Sequence, residues 1–306
     1  MKTMLKKSLF LAFALLFACT LSAKKPIKTL IITGQNNHNW QVSHLVIKDI
    51  LENSGLFTVD FAISPEKGKD MTNFLVDFSP YSLVILDYNG DAWPAETMQR
   101  FEKFAQKGGG IVVYHAANNS FPKWAEYNKI CGLGGWEGRN EKSGPYAYWL
   151  KGELHKDYSP GRGGSHGPQH EYMMNGRATN HPIINGLPNR WVHAKDELYD
   201  RMRGPADIAD LFYTAYSDTA KAGSGREEPL IFTVKYGKSR IFHTMLGHCG
   251  PSYENNPAMQ CTGFQVMLLR GAEWAATGKV TQKVPKDFPS STYVTYRYDY
   301  KEPAEN

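Results

Sequence analysis

Gly108–Asn119 reads GGGIVVYHAANN: a glycine turn, an apolar run ending at Tyr114, then His115 followed by small residues. A short apolar run bounded by glycine fits a strand buried on both faces of a parallel sheet. In many α/β enzymes the residue just past such a strand sits on a sharp turn that holds the nucleophile. Here a histidine occupies that place. Either it works, or it marks a scaffold that has lost its thiol or hydroxyl chemistry.

The same rhythm extends on both sides. Upstream, IKTLIITG (27–34) is an apolar run ending in glycine. QVSHLVIKDILENSG (41–55) carries Val42, Leu45, Val46, Ile50 and Leu51 on one helical stripe and stops at Asn53-Ser54-Gly55. FTVDFAI (57–63) and YSLVILDYNG (81–90) read as strands, the second apolar until Asp87. PAETMQRFEKFAQKGGG (94–110) reads as a helix with Pro94 near its start and glycines after its end. Downstream, LFYTAY (211–216), EPLIFTVKYGKSRIFHTMLGH (228–248) and the helix GFQVMLLRGAEWAATG (263–278) restore the alternation, with KYGKSR as a hairpin turn. Alternating strands and helices predict an α/β fold with a doubly wound, mostly parallel sheet. Between about Cys131 and Asp210 the rhythm breaks into a stretch dense in Gly, Pro, His, Tyr and Trp, expected to be a long irregular insertion that builds a site. No linker divides the chain, so a single elaborated domain is expected over 24–280, followed by an extended arm over 281–306.

The 306 residues are 42% hydrophobic and 21% charged, as in a globular protein. Lys2, Lys6 and Lys7 precede the apolar run SLFLAFALLFA (8–18), and LSA ends at position 23. This predicts a signal peptide over 1–23, too short for a membrane span, and an exported, periplasmic or cell-envelope protein. Cys19 offers lipoprotein attachment as an alternative, against which Phe17 stands where lipoboxes carry smaller residues. Those 23 residues hold three lysines and no acid, leaving 32 basic against 30 acidic groups. So small an excess predicts no nucleic-acid partner. Cys131, Cys249 and Cys261 remain, an odd count that leaves a Cys249–Cys261 bridge open. Assembly into a homo-oligomer is also left open.

His115, His166, His170, His181, His193, His243 and His248 fall at strand ends or in the irregular middle, and His38 lies in the loop QNNHNW after the first strand. A parallel sheet gathers such positions at its carboxyl edge. Imidazole there can carry protons near neutrality or bind a metal, and Asp196 or Glu197 in DELY can orient it. The competing reading is structural, and it is preferred for His243 and His44, while His155 reads as a surface loop residue. In SHGPQHEY (165–172) two histidines stand four apart, but Gly167-Pro168 argues against a helical zinc site, so a divalent ion such as zinc stays an open cofactor. No GxSxG and no GxxxxGK[ST] occurs. Trp136, Tyr199 and their aromatic neighbours suit stacking on a sugar, or the packing of glycine-rich loops.

TLIITGQNNHNW (29–40), FEKFAQKGGGIVVYHAANNSF (101–121), NHPIINGLP (180–188), DELYDRMRGP (196–205) and EPLIFTVKYGKSRIFHTMLGH (228–248) together resemble the ThuA-like (trehalose-utilisation) family, in family order over roughly 27–275. SHGPQHEY and VPKDFP (284–289) resemble a Bacteroidetes-type exported branch. The resemblance implies a flavodoxin-like, class I glutamine amidotransferase-like fold. In amidotransferases the matching elbow carries a cysteine; His115 stands there instead, which argues against that activity. The resemblance further implies a role in sugar catabolism. The expected protein is an enzyme acting on a sugar or 3-keto-sugar derivative by histidine/carboxylate acid–base chemistry. His115, His248, Asp196 and Glu197 are the expected catalytic groups. His38, His170, His181, Tyr199 and Trp136 are the expected contacts to a carbohydrate substrate. A non-catalytic carbohydrate-binding protein and a metal-dependent hydrolase are the alternatives.

Overall fold

A computed structural model describes residues 25–298 apart from 179 and 253. The expected export segment with Cys19, and residues 299–306 of the expected arm, lie outside the described residues. The chain runs β1 (Ile27–Thr33), α1 (Trp40–Glu52), β2 (Phe57–Ile63), β3 (Leu83–Leu86), α2 (Ala95–Gln106), β4 (Gly110–Tyr114), α3 (Ala125–Cys131), β5 (Tyr146–Leu150) and β6 (Glu153–Asp157). It continues through β7 (His170–Gly176), β8 (Arg190–Asp196), β9 (Ile208–Tyr216), β10 (Glu227–Tyr236), β11 (Ser239–Thr244), α4 (Pro257–Gln260) and α5 (Thr262–Thr277).

Among the described residues these strands form one sheet. The order β2-β1-β3-β4-β11 is parallel throughout. Its strands are short apolar runs because both faces are covered: Leu30, Ile31, Ile32, Leu83 to Leu86 and Ile111 to Val113 are all within 2% of full burial. Each such aliphatic side chain contributes roughly 1.5–3 kcal/mol. α1 and α5 touch and lie over β1, β4 and β11. Right-handed crossovers put α2 on the opposite face, where its Phe101 packs edge-on against Trp93 and Trp124 beside Tyr127 of α3.

Beyond β11 the sheet continues antiparallel through β10, β9, β7 and β8, with β5 and β6 branching from β10. The stretch 131–210, expected to be irregular, thus supplies β5 to β8. A period-2 pattern is present in the last two (Tyr172 and Met174 in β7, Trp191 and His193 in β8 point to the buried side), but it is too short to stand out among glycines and prolines. The α/β flavodoxin-like architecture is as expected, and the sheet is parallel in one half only.

Residues 281–298 run alongside without further helix or strand, Phe288 packing on Trp191 and Ser290 accepting from the Val192 N–H. β2 and β3 flank β1, so strand order reverses between β1 and β3, and a crevice opens beyond their carboxyl ends. No helix among the described residues is long and apolar enough to cross a membrane.

Candidate active site

Four chain segments deliver the site. His38 comes from the loop between β1 and α1, His115 is the first residue past β4, Glu197 follows β8, and His248 lies in the loop after β11. His115 takes φ 44°, a left-handed backbone that costs a non-glycine residue about 1–3 kcal/mol and persists where surrounding structure imposes it. The elbow is therefore real, and its side chain is directed by a 2.7 Å hydrogen bond from Nδ1 to the Met245 carbonyl. A carbonyl only accepts, so Nδ1 carries the proton and Nε2 presents its lone pair. His38 is fixed alike: its Nδ1 faces Asn36 Oδ1 at 3.3 Å, and that amide is oriented by donating to Asp87 at 3.1 Å.

Glu197 stands at the centre. Its Oε2 lies 3.4 Å from His38 Nε2 and 3.7 Å from His115 Nε2. Its Oε1 lies 3.2 Å from His248 Nδ1 and 3.7 Å from His166 Nε2. One donor atom from each of His38, His115, Glu197 and His248 falls within 4.8 Å of all the others. Burial pushes the Glu197 carboxyl upward, but the imidazoles, His115 first, outweigh it and hold the group well below the usual carboxylate range. Burial drives His38 down to about 4, only partly offset by Glu197, so its ring is neutral at neutral pH. For His248 burial opposes the charge, yet Glu197 outweighs it and raises the pKa.

Asp196 does not reach the site surface. It is fully buried and works on the backbone, Oδ1 accepting from the N–H groups of Glu197 (2.7 Å) and His248 (3.1 Å), Oδ2 from Gly247 (2.8 Å). His193 Nε2 closes the set at 2.7 Å from Oδ2. Gly247 has φ 101°, and a Cβ there would meet the Phe264 ring at 2.5 Å, so the turn into His248 requires glycine.

A cavity of about 700 Å³ opens above the cluster, a size that suits a small ligand. Gln35, Asn36, Asn37, Asn89 and Asn119 offer amides along its wall. Trp136 closes one side, its ring edge-on to Tyr199 at 4.8 Å, and the Tyr199 hydroxyl lies 3.1 Å from His115 Nε2. Trp136 also takes a left-handed φ of 51°. Buried Arg139 pins this loop to the elbow by donating to the carbonyls of Asn119, Ser120 and Gly135.

Of the residues expected from sequence, His38, His115, Glu197, His248, Tyr199 and Trp136 come together here. His170 and His181, also expected as contacts, do not line the cavity and are not brought to the cluster. His170 Nδ1 turns to the Pro168 carbonyl, and His181 packs between Phe212 and Trp274. The β7 pleat and the 180–188 turn carry them away, a consequence of register that composition does not reveal. His166 and the amide wall were not singled out as contacts. The runs QNNHN after β1 and YNG after β3, polar residues crowding two adjacent strand ends, were the available signal. His243 is structural as expected, with Nδ1 on the Cys131 carbonyl and Nε2 beside Asn118 Nδ2. Cys131, Cys249 and Cys261 are free and buried, and none lines the cavity.

Fold and site define a flavodoxin-like α/β protein whose strand-end elbow presents a histidine cluster instead of a thiol. The chain belongs to the ThuA family, described as trehalose utilisation, whose model matches residues 28–275. The chain is similar to a ThuA-like protein of Parabacteroides merdae of known crystal structure: 71% identity, 91% of this chain and all of that one, TM-score 0.90. A ThuA-like protein of Bacteroides uniformis, 18% identical over 85% of this chain and 95% of its own, shares the fold at TM-score 0.53. No curated protein matches the sequence.

Proposed function

We propose that this chain is an exported enzyme of sugar catabolism that moves a proton at the carbon next to the ketone of a 3-keto sugar derived from a trehalose-like glycoside. The observation that carries the reading is the convergence of Glu197, His38, His115 and His248 from four separate segments onto the floor of one amide-walled cavity. Membership of the trehalose-utilisation family supports the substrate class.

The chemistry follows from the placement. Amides that both donate and accept suit hydroxyls, and the Trp136 face suits sugar C–H bonds. A ketone oxygen that accepts from a donor at the cavity floor, the Tyr199 hydroxyl or the His248 ring, is polarised, which acidifies the neighbouring C–H. His166, at the rim and about a third exposed, is free to take that proton and return it to the same or the adjacent carbon. Isomerisation, epimerisation or elimination then depends on which group accepts the proton and which bond breaks.

The test is incubation of the protein with 3-ketotrehalose and with trehalose in D₂O, followed by NMR. Deuterium at the carbon beside the ketone, or a new keto-sugar product, is expected from the keto sugar alone. Sugar-induced resonance shifts with neither exchange nor product would assign the chain to non-catalytic carbohydrate binding instead.

A further inference from the structure

His38 and His115 each spend their Nδ1 proton on an oxygen, Asn36 Oδ1 and the Met245 carbonyl, and each therefore turns a bare Nε2 toward the same Glu197 oxygen at 3.4 and 3.7 Å. Lone pairs facing a carboxylate repel unless a proton or a metal ion lies between them. His248 Nδ1, 3.2 Å from the other Glu197 oxygen, is buried and lines up for a hydrogen bond with no group. Even with the Tyr199 hydroxyl 3.1 Å from His115 Nε2, three imidazole nitrogens and a carboxylate are aimed at one point with fewer protons than acceptors.

The spacing fits a metal. Bonds of about 2.0–2.1 Å place neighbouring ligand atoms roughly 3.3 Å apart in a tetrahedral set; here the imidazole nitrogens lie 3.2–3.7 Å from one or other Glu197 oxygen, and one ligand atom from each residue falls within 4.8 Å of the rest. The Met245 carbonyl, and Asn36 backed by Asp87, supply the outer partners that metal-bound histidines require. Glu197, His38 and His248 line the cavity while His115 lies beneath it, so expansion from four to five ligands would place the fifth position on the cavity side.

We propose that His38, His115, Glu197 and His248 bind one divalent first-row transition ion of the zinc, iron or manganese class, with an open position for vicinal sugar oxygens. Three imidazoles favour these ions over calcium or magnesium. The ion site stands on its own; only the sugar oxygens rest on the function proposed above.

The untagged protein, purified without chelators, is analysed by elemental mass spectrometry, then stripped and titrated with Co²⁺. About one ion per chain is expected, with visible d–d absorption that Zn²⁺ displaces. X-ray absorption at the bound ion should read three imidazole nitrogens and one carboxylate oxygen. Glu197→Gln and His38→Gln should each weaken binding by more than the roughly 10–100-fold that loss of an outer partner costs, with the circular dichroism spectrum unchanged. The inference is overturned if the wild-type chain takes up none of these ions, if the absorption spectrum shows fewer than two imidazoles, or if folded variants bind as tightly as wild type. If a variant fails to fold, the wild-type titration and spectrum still decide. Stoichiometric metal with no sugar effect leaves the site standing and removes the sugar oxygens from it, whereas failure to bind metal with sugar turnover intact overturns the site and leaves the function standing.

Discussion

The Asp196 carboxylate accepts the backbone N–H of His248 at 3.1 Å, and through the same oxygen the N–H of Glu197 at 2.7 Å. One buried acid therefore sets the position of two site residues that arrive from different strands. Asp196→Asn puts an amide donor where Oδ2 meets the Gly247 N–H and His193. Breaking a buried ion pair of this kind costs on the order of 3–5 kcal/mol. Urea unfolding should show a loss of that size, and turnover should fall even where the variant is fully folded. A midpoint within error of wild type would show that Asp196 does not hold the site.

Tyr199 donates its hydroxyl toward His115 Nε2 at 3.1 Å, and burial first, then Glu197 and Asp196, keep its pKa well above the usual tyrosine value. It stays a phenol and keeps donating. Tyr199→Phe retains the ring against Trp136 and removes only that donor. Turnover of the keto sugar should drop roughly 10²-fold, the lower end for loss of a positioned proton-transfer group. The Tm should stay within a few degrees, and an unchanged kcat would remove Tyr199 from the chemistry.

How much of this was legible beforehand divides along a physical line. The glycine-bounded apolar runs of β1, β3 and β4 announce themselves because both faces are buried, so composition alone marks them. His115 and His248 were legible for the same reason, standing one step past such runs. The antiparallel half was not: β5 to β8 are five to seven residues long, β7 and β8 bury one alternating face, and β6 buries no residue. Their pairing is decided by partners tens of residues away. His170 and His181 looked equivalent to His166 in sequence, and only strand register and the 180–188 turn separate them.

The cysteines offer a cheap check on the loss of thiol chemistry. Burial pushes the Cys131 and Cys249 thiols up to about 12, and neither reaches the cavity. Iodoacetamide should leave Cys131, Cys249 and Cys261 unmodified in the native protein. All three should become labelled on unfolding without reductant, as free thiols do. Labelling of Cys249 in the folded chain with loss of turnover would restore a nucleophilic reading.

His243 gives a pH prediction whose sign is fixed. Burial holds its pKa down to about 4, partly opposed by the hydrogen bond to the Cys131 carbonyl, against 6.5 in the unfolded chain. Between those values the unfolded state binds more protons. Its contribution is therefore complete above about pH 7 and is lost as the pH falls through 6.5 toward 4, by roughly 3 kcal/mol in all. Unfolding free energies of wild type and His243→Gln between pH 7.5 and 4.5 isolate this group. Wild type should lose stability more steeply on acidification, and parallel slopes would show that His243 is not held neutral by burial.

His115 carries the last prediction because its backbone and its side chain can be separated. At φ 44° the position favours residues that tolerate the left-handed region, and asparagine does so where alanine does not. An asparagine amide can also donate to the Met245 carbonyl, which otherwise would be left buried without a partner. What it lacks is the second ring nitrogen 3.7 Å from Glu197. His115→Asn should therefore fold with a Tm within a few degrees of wild type, while His115→Ala loses roughly 1–3 kcal/mol more through strain and the orphaned carbonyl. Turnover should be abolished in both, by 10²-fold or more. If asparagine restored stability and kept turnover, the elbow would be structural and the chemistry would belong to its neighbours. Inactivity with a native Tm instead assigns the strained turn the task of holding one imidazole nitrogen against Glu197.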